Sequence, residues 1–315
     1  MNGQPDIVVL LFGVILFLVL ATVLGAALRK WAATEWTMEF IDSYTARVTS
    51  WWGMVVLLAL ASIFGRLGLV VLFALISFAA LREFLTLTAK TRADHWSLLL
   101  SFFVILPIQY WLIYIDWYGL YSIFIPVYAY LFLPIASALR GEPTRFLRRV
   151  AETQWGLMVT VFAASHVPAL LWLDLPGFAG REILLIAWLV IVIQSADVLQ
   201  YVWSAVCGRT PVAENLSRSK TWEGYAGGVV SGVIVGVLLG WLTPFTVWQV
   251  ALLAGMVTLM GLMGSLVMSA IKRDKGVRDW GTLIAGQGGF TDRLDAVVFA
   301  APIFYHVVRF FWSGS

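Results

Sequence analysis

The chain has 315 residues, 61% of them hydrophobic and only 12% charged. Soluble domains carry about a quarter charged residues. The composition therefore excludes a water-soluble globular fold, and repeated apolar runs of about 20 residues specify an all-α polytopic membrane protein. A net charge of +3 gives no support to a nucleic-acid partner, and a single cysteine, Cys207, excludes an internal disulfide or zinc cluster. The alternating pattern of an outer-membrane barrel is missing.

In chain order, ten candidate spans fall at about 7–27, 50–64, 67–86, 96–115, 118–138, 155–173, 182–206, 225–243, 246–270 and 294–312. The second is short, and a re-entrant hairpin at Arg66 would leave nine. No basic stretch precedes the first run, and Arg29 and Lys30 follow it, as expected of an uncleaved span with its N-terminus outside. That orientation puts 18 of the 21 Lys and Arg in the cytoplasmic segments 28–49, 82–95, 139–154, 207–224 and 271–293. The expected location is a bacterial inner membrane.

Residues 28–49 alternate Trp31, Trp36, Phe40 and Tyr44 with Glu35, Glu39 and Asp42, the pattern of an amphipathic helix lying in the membrane interface. The segment 140–149 is a basic turn suited to topology and to contact with anionic lipid. Polar residues are sparse in the early spans, so residues 1–189 read as a transmembrane scaffold and 190–315 as the region carrying chemistry. In the eighth span Gly228, Gly232, Gly236 and Gly240 recur every fourth residue, a stripe for close helix packing.

Three polar clusters follow residue 190. Gln194, Asp197 and Tyr201 share one helical face, and a carboxylate in a span is a functional signal, the alternative being a helix-end Asp in headgroup water. Ser217, Ser219, Lys220, Thr221 and Glu223 precede the glycine-striped helix, where hydroxyls, an ammonium and helix N–H groups suit an anion; the same pattern also suits a capping box. The third cluster, 272–295, gathers Lys272, Arg273, Lys275, Arg278 and Arg293 with Asp274, Asp279, Asp292 and Asp295 around Gly281, Gly286, Gly288 and Gly289. Carboxylates, cations and glycines together suit a phosphate group held through a divalent metal, against the plainer reading of a solvated loop.

This last cluster resembles the signature of the bacterial phosphatidate cytidylyltransferases, the CDP-diacylglycerol synthases. Ser269, Lys272, Arg273, Arg278, Asp279, Ile284, Gly286, Gly288, Gly289, Asp292, Arg293 and Asp295 stand in its register. Ser217 and the run Lys220, Thr221, Trp222, Glu223, Gly224 match a second block, and Asp197 with Tyr201 a third. The register covers about 100 residues. Four positions depart from the pattern: Ala285 for Pro, Gln287 for His, Arg278 for Lys and Arg218 for Pro.

The resemblance implies transfer of CMP from CTP to phosphatidate or a related lipid phosphate, with Mg²⁺ as cofactor and K⁺ allowed beside it. It implies a homodimer and an active site on the cytoplasmic side. Asp197, Asp279, Asp292 and Asp295 would form the metal cluster. Lys220, Lys272, Arg273 and Arg293 would bind phosphates. Ser217, Thr221, Glu223, Arg278, Gly286, Gln287, Gly288 and Gly289 would complete the substrate pocket. Gln287 removes a titrating group, so a catalytically impaired relative is one alternative. A secondary transporter is another, although no internal repeat supports it.

Overall fold

The computed structural model describes residues 4–31, 35–88, 91–281 and 288–314. Among the described residues seven helices are long and apolar enough to cross a membrane. Six are unbroken by any strand and run as α1 (Gln4–Trp31), α3 (Gly65–Thr86), α4 (Arg92–Tyr114), α5 (Tyr118–Ala138), α6 (Phe146–Trp172) and α7 (Ile183–Cys207). The seventh is α9 (Val247–Asp274). Between α1 and α3 lies α2 (Glu35–Ile63), whose apolar part is short; α8 (Trp222–Leu238) and α11 (Val297–Trp312) are likewise short, and α10 (Phe290–Leu294) is a single turn. Each candidate span in the sequence thus falls on a helix. A hairpin of β1 (Pro211–Ala213) and β2 (Ser217–Thr221), paired antiparallel, joins α7 to α8.

The expected interfacial helix takes a different form. Residues 35–63 make one continuous helix, because no proline separates the amphipathic stretch from the apolar one. Its residues 41–52 lie lengthwise along α1: Tyr44 donates to the Ala21 carbonyl at 2.9 Å and Trp52 to Thr22 Oγ1 at 3.1 Å. Turns of wider π geometry interrupt α4 at 101–105, α5 at 124–129 and α6 at 158–163. Pro107, Pro126 and Pro168 lie within or just beyond them, each removing a donor from the helical ladder.

The core runs through both halves of the chain. Trp188, Phe304 and Tyr305 are fully buried at its centre, and Trp188 donates to the Gly236 carbonyl at 3.0 Å. Residue 190, the expected division between scaffold and catalytic region, lies inside α7 with no break in the helix.

Charged contacts sort to two ends of the bundle. At one end Arg149 pairs with Asp94 at 3.0 Å, Lys275 with Glu152, and Arg273 donates to the Leu216 carbonyl. At the other, Arg66 faces Glu182 at 3.7 Å, Arg181 pairs with Asp6, and Gly314 N–H donates to the Asp174 carbonyl. The first end collects the described parts of the cation-rich segments 82–95, 139–154, 207–224 and 271–293. Part of that charge is structural, beyond the topology and anionic-lipid contact expected of the basic turn at 140–149. Arg149 and Asp94 are each only 3% exposed at the side chain, and Arg148 pairs with Glu152 one turn on.

Candidate active site

Three elements converge at the cation-rich end: the last turns of α7, the β2–α8 junction, and the segment from the end of α9 to the start of α11. The glycine stripe makes the convergence possible. A Cβ on Gly228 would meet Gln200 Cβ at 2.8 Å, on Gly232 Thr258 Cγ2 at 2.4 Å, and on Gly236 Ala254 Cβ at 2.6 Å. Helix α8 is therefore pressed against both α7 and α9. Gly240 has only ordinary contacts, the nearest Val250 at 3.6 Å, and it lies past the end of the helix. Gly224 takes its place in the stripe, since a Cβ there would overlap Ser204 Oγ.

At the junction Lys220 reaches inward along α9. Its ammonium donates to Ser265 Oγ at 2.7 Å and Ser269 Oγ at 3.3 Å, and Ser265 in turn donates to Asp295 Oδ2 at 3.5 Å. Asp295 sits between α10 and α11, outside both apolar helices, and Oδ1 accepts from the Ala296 N–H at 2.7 Å. Burial drives the Asp295 carboxyl above its ordinary range, and the neighbouring Asp197 carboxylate pushes the same way, against the lowering effects of Lys272 and Lys220. Burial pushes the Lys220 ammonium down, while Asp295 and Asp197 act to keep it charged. Two carboxylates and two ammonium groups from α7, β2, α9 and the final loop therefore share one electrostatic neighbourhood. Gln194, one turn before Asp197, donates to the Arg293 carbonyl at 3.5 Å and ties α7 to the same loop.

Asp292 does a different job. Oδ1 accepts from Lys272 Nζ at 2.9 Å, and Oδ2 accepts from the backbone N–H of both Trp280 and Gly289 at 2.9 Å. It cross-braces the two ends of the loop. Asp279 lies beside it across Gly288, whose φ of +81° is a left-handed conformation. Asp279 and Arg278 are exposed. Gly286, Gln287 and Ala285 lie outside the described residues. Among the described residues no three His, Cys, Asp or Glu side chains gather closely enough to cage a metal. The chemistry of the Asp197–Asp295 pair nonetheless fits a hard cation. Mg²⁺ is commonly held by one or two carboxylates with substrate phosphates completing its shell, not by an all-protein cage.

The remaining expected site residues are largely engaged in local structure. Thr221 caps α8, accepting from the Gly224 N–H at 3.1 Å. Glu223 Oε2 accepts from the Arg209 and Thr210 N–H groups, both at 3.1 Å, and fastens the turn after α7. Ser217 contacts Ser219 on the exposed face of β2, which is a strand, not the helix opening expected for an anion. Arg273 points toward the hairpin and the Val277 carbonyl.

Residues 45–311 match the cytidylyltransferase family. The chain belongs to it.

As a member of that family it is a nucleotidyltransferase. It is 39% identical over 270 residues to the uncharacterized protein YnbB of Escherichia coli K12, covering 84% of this chain and 87% of that one. It is 36% identical over 174 residues to a phosphatidate cytidylyltransferase of Mycobacterium leprae, covering 53% of this chain and 52% of the other. A phosphatidate cytidylyltransferase of Synechocystis matches at 41% over 118 residues, 37% of this chain and 40% of that one. The chain thus spans about half or less of the length of these two named enzymes.

One residue bonded to this loop escaped notice in the sequence. Glu83, near the end of α3, is 6% exposed and reaches the loop just before Asp292, accepting from the N–H groups of Phe290 and Thr291. The only sequence signal was a carboxylate embedded in an apolar run, the same signal that singled out Asp197.

Proposed function

We propose that the chain is a CTP:phosphatidate cytidylyltransferase, forming CDP-diacylglycerol and pyrophosphate. The observation that carries this reading is the convergence of Asp197, Asp295, Lys220 and Lys272 at the bundle end where the cation-rich loops meet. That end is the cytoplasmic one on the distribution of Lys and Arg, so CTP arrives from the cytoplasm while the acyl chains stay in the inner leaflet.

An oxygen of the lipid phosphate attacks the α-phosphorus of CTP. A new P–O bond forms as the bond from the α-phosphorus to the α–β bridging oxygen breaks, and its electron pair leaves on pyrophosphate. Both reactants are anions, so positioning and charge compensation dominate the barrier. Lys220, held by Ser265 and Ser269, and Lys272, held by Asp292, present fixed ammonium groups to the phosphates. A phosphate monoester has its second pKa near about 6, so the nucleophile is largely ionised at neutral pH and needs no strong base at position 287. Mg²⁺, held by Asp197 and Asp295, would supply charge compensation at the transferring phosphate. Gly288 and Gly289 pack directly against carboxylates, where a Cβ would lie 2.3 Å from Asp292 Oδ2 and from Glu83 Oε2 respectively, and Asp292 braces the Gly289 N–H.

The test is the purified protein with labelled CTP, Mg²⁺ and a panel of lipid phosphates. Labelled CDP-diacylglycerol from phosphatidate, absent in Asp295→Asn, is the expected result. No labelled lipid from any acceptor, with folded protein, overturns the reading. Label in a different lipid reassigns the acceptor.

A further inference from the structure

The carboxylate of Glu83 belongs to α3, more than a hundred residues before Asp197, yet it is bonded directly to the loop that carries Asp292 and Asp295. Its Oε1 accepts from the Phe290 N–H at 3.0 Å and its Oε2 from the Thr291 N–H at 2.9 Å. Among the described residues no Lys or Arg pairs with it. A buried carboxylate without a cation is stable only while such charge-assisted bonds hold it. The surroundings are shaped to it. A Cβ on Gly289 would lie 2.3 Å from Oε2, and one on Gly281 2.9 Å from Oε1. Both ends of the described loop therefore close on this one side chain. The next residue of α3, Phe84, stacks on Trp280 at 5.0 Å, and Thr291 Oγ1 donates to the Ala80 carbonyl at 3.3 Å.

Phe290 and Thr291 immediately precede Asp292, whose carboxylate then fixes Lys272, Trp280 and Gly289. The path from Glu83 to Lys272 is thus a continuous chain of short bonds. We infer that Glu83 is a positioning residue for the nucleotidyl transfer: it clamps the loop backbone so that Asp292, Lys272 and Asp295 face the phosphates. This rests on the proposed cytidylyl transfer. It gives the N-terminal spans a part in the chemistry beyond that of a scaffold. Glu→Gln keeps the size but turns an amide N–H₂ toward one of two backbone donors, so one bond is lost and the other weakened.

The experiment compares full-length wild type, Glu83→Gln, Glu83→Asp, Gly289→Ala and the Glu83→Gln/Gly289→Ala double variant in detergent. Hydrogen exchange and steady-state kinetics are read on each. Glu83→Gln is expected to speed amide exchange in peptides spanning 278–294 while leaving α7 and α8 at wild-type protection. Its kcat should fall by about ten- to a hundredfold, the scale of a displacement near 1 Å, with the KM for lipid phosphate little changed. Glu83→Asp, which keeps the charge, should recover part of kcat. The double variant should lose little more than Gly289→Ala alone, because both changes break the same contact. Unchanged exchange at 278–294, wild-type kcat in Glu83→Gln, or additive losses in the double variant would overturn the inference. The exchange arm needs no turnover, so an inactive wild type would fault the proposed reaction and leave the clamp to be judged on exchange.

Discussion

Gly232→Ala is the sharpest probe of how this fold builds its candidate site, because it adds one methyl group to an apolar helix contact and no charge. The new Cβ would lie 2.4 Å from Thr258 Cγ2 on α9 and 3.0 Å from Ala196 Cβ on α7. Carbon pairs settle at about 3.5–4.0 Å, so α8 and α9 must part by roughly 1 Å. Thr258 is not free to turn its methyl aside, since its hydroxyl donates to the Ala254 carbonyl at 2.7 Å. Overpacking of this kind costs about 1–3 kcal/mol. A change near 2 kcal/mol should lower Tm, followed by tryptophan fluorescence in detergent, by about 4 °C. Ala196 is next to Asp197, so the same shift moves that carboxylate relative to Asp295, and turnover should fall by about tenfold or more. Thr258→Ser removes the opposing methyl. Alone it leaves a small void, but combined with Gly232→Ala it moves one methyl across the interface and should restore both Tm and turnover. Gly240→Ala, with 3.6 Å to its nearest neighbour, is the neutral control. A Gly232→Ala protein with wild-type Tm and turnover, or a double variant that recovers neither, would refute the reasoning.

Asp292→Asn cannot satisfy Lys272 and two backbone donors together, and the pair is only 15% and 10% exposed; we expect a loss of about 2–3 kcal/mol, read as a lower Tm, together with loss of CTP turnover in the folded fraction. An unchanged Tm would remove the brace. Arg149→Met removes the cation from the Asp94 carboxylate, which is buried as deeply as its partner and keeps, among the described residues, only its bonds to Thr91, and should cost about 3–5 kcal/mol, seen as poor yield and early thermal unfolding; ordinary stability would show that the pair is dispensable. Treatment with EDTA should abolish CTP turnover and Mg²⁺ restore it, whereas full turnover in EDTA would exclude a divalent ion from the step.

The spans were legible because an apolar run long enough to cross a bilayer has few other uses. The candidate site was suggested by charge placed where charge is costly: Asp197 in α7, Lys272 at the end of α9, and Asp292 and Asp295 just before α11. What stayed hidden depended on partners distant in sequence. Arg149 reads as one cation in a basic run, and only the fold shows it turned inward onto Asp94, 55 residues earlier. Glu83 reads as a stray carboxylate until the loop from 290 closes over it, 207 residues later. The amphipathic stretch at 35–49 carries an interfacial pattern, but helix continuity and packing on α1 set its direction instead. In the glycine stripe a four-residue spacing admits two frames, 224–236 and 228–240, and only contact with Ser204 selects the first.

The two short helices flanking the carboxylates have a consequence for the lipid around them. Helix α8 has 17 residues and begins two residues after Lys220; α11 has 16 and begins two residues after Asp295. At 1.5 Å per residue each reaches only about 25 Å, against an apolar layer of about 30 Å. Local thinning of the bilayer is one response to such a shortfall, beside snorkelling of flanking side chains and oligomerisation. By thinning, the surrounding leaflet would dip toward Lys220 and Asp295, so a phosphate headgroup meets the nucleotide in a dimple of the membrane surface and never has to be lifted out of it.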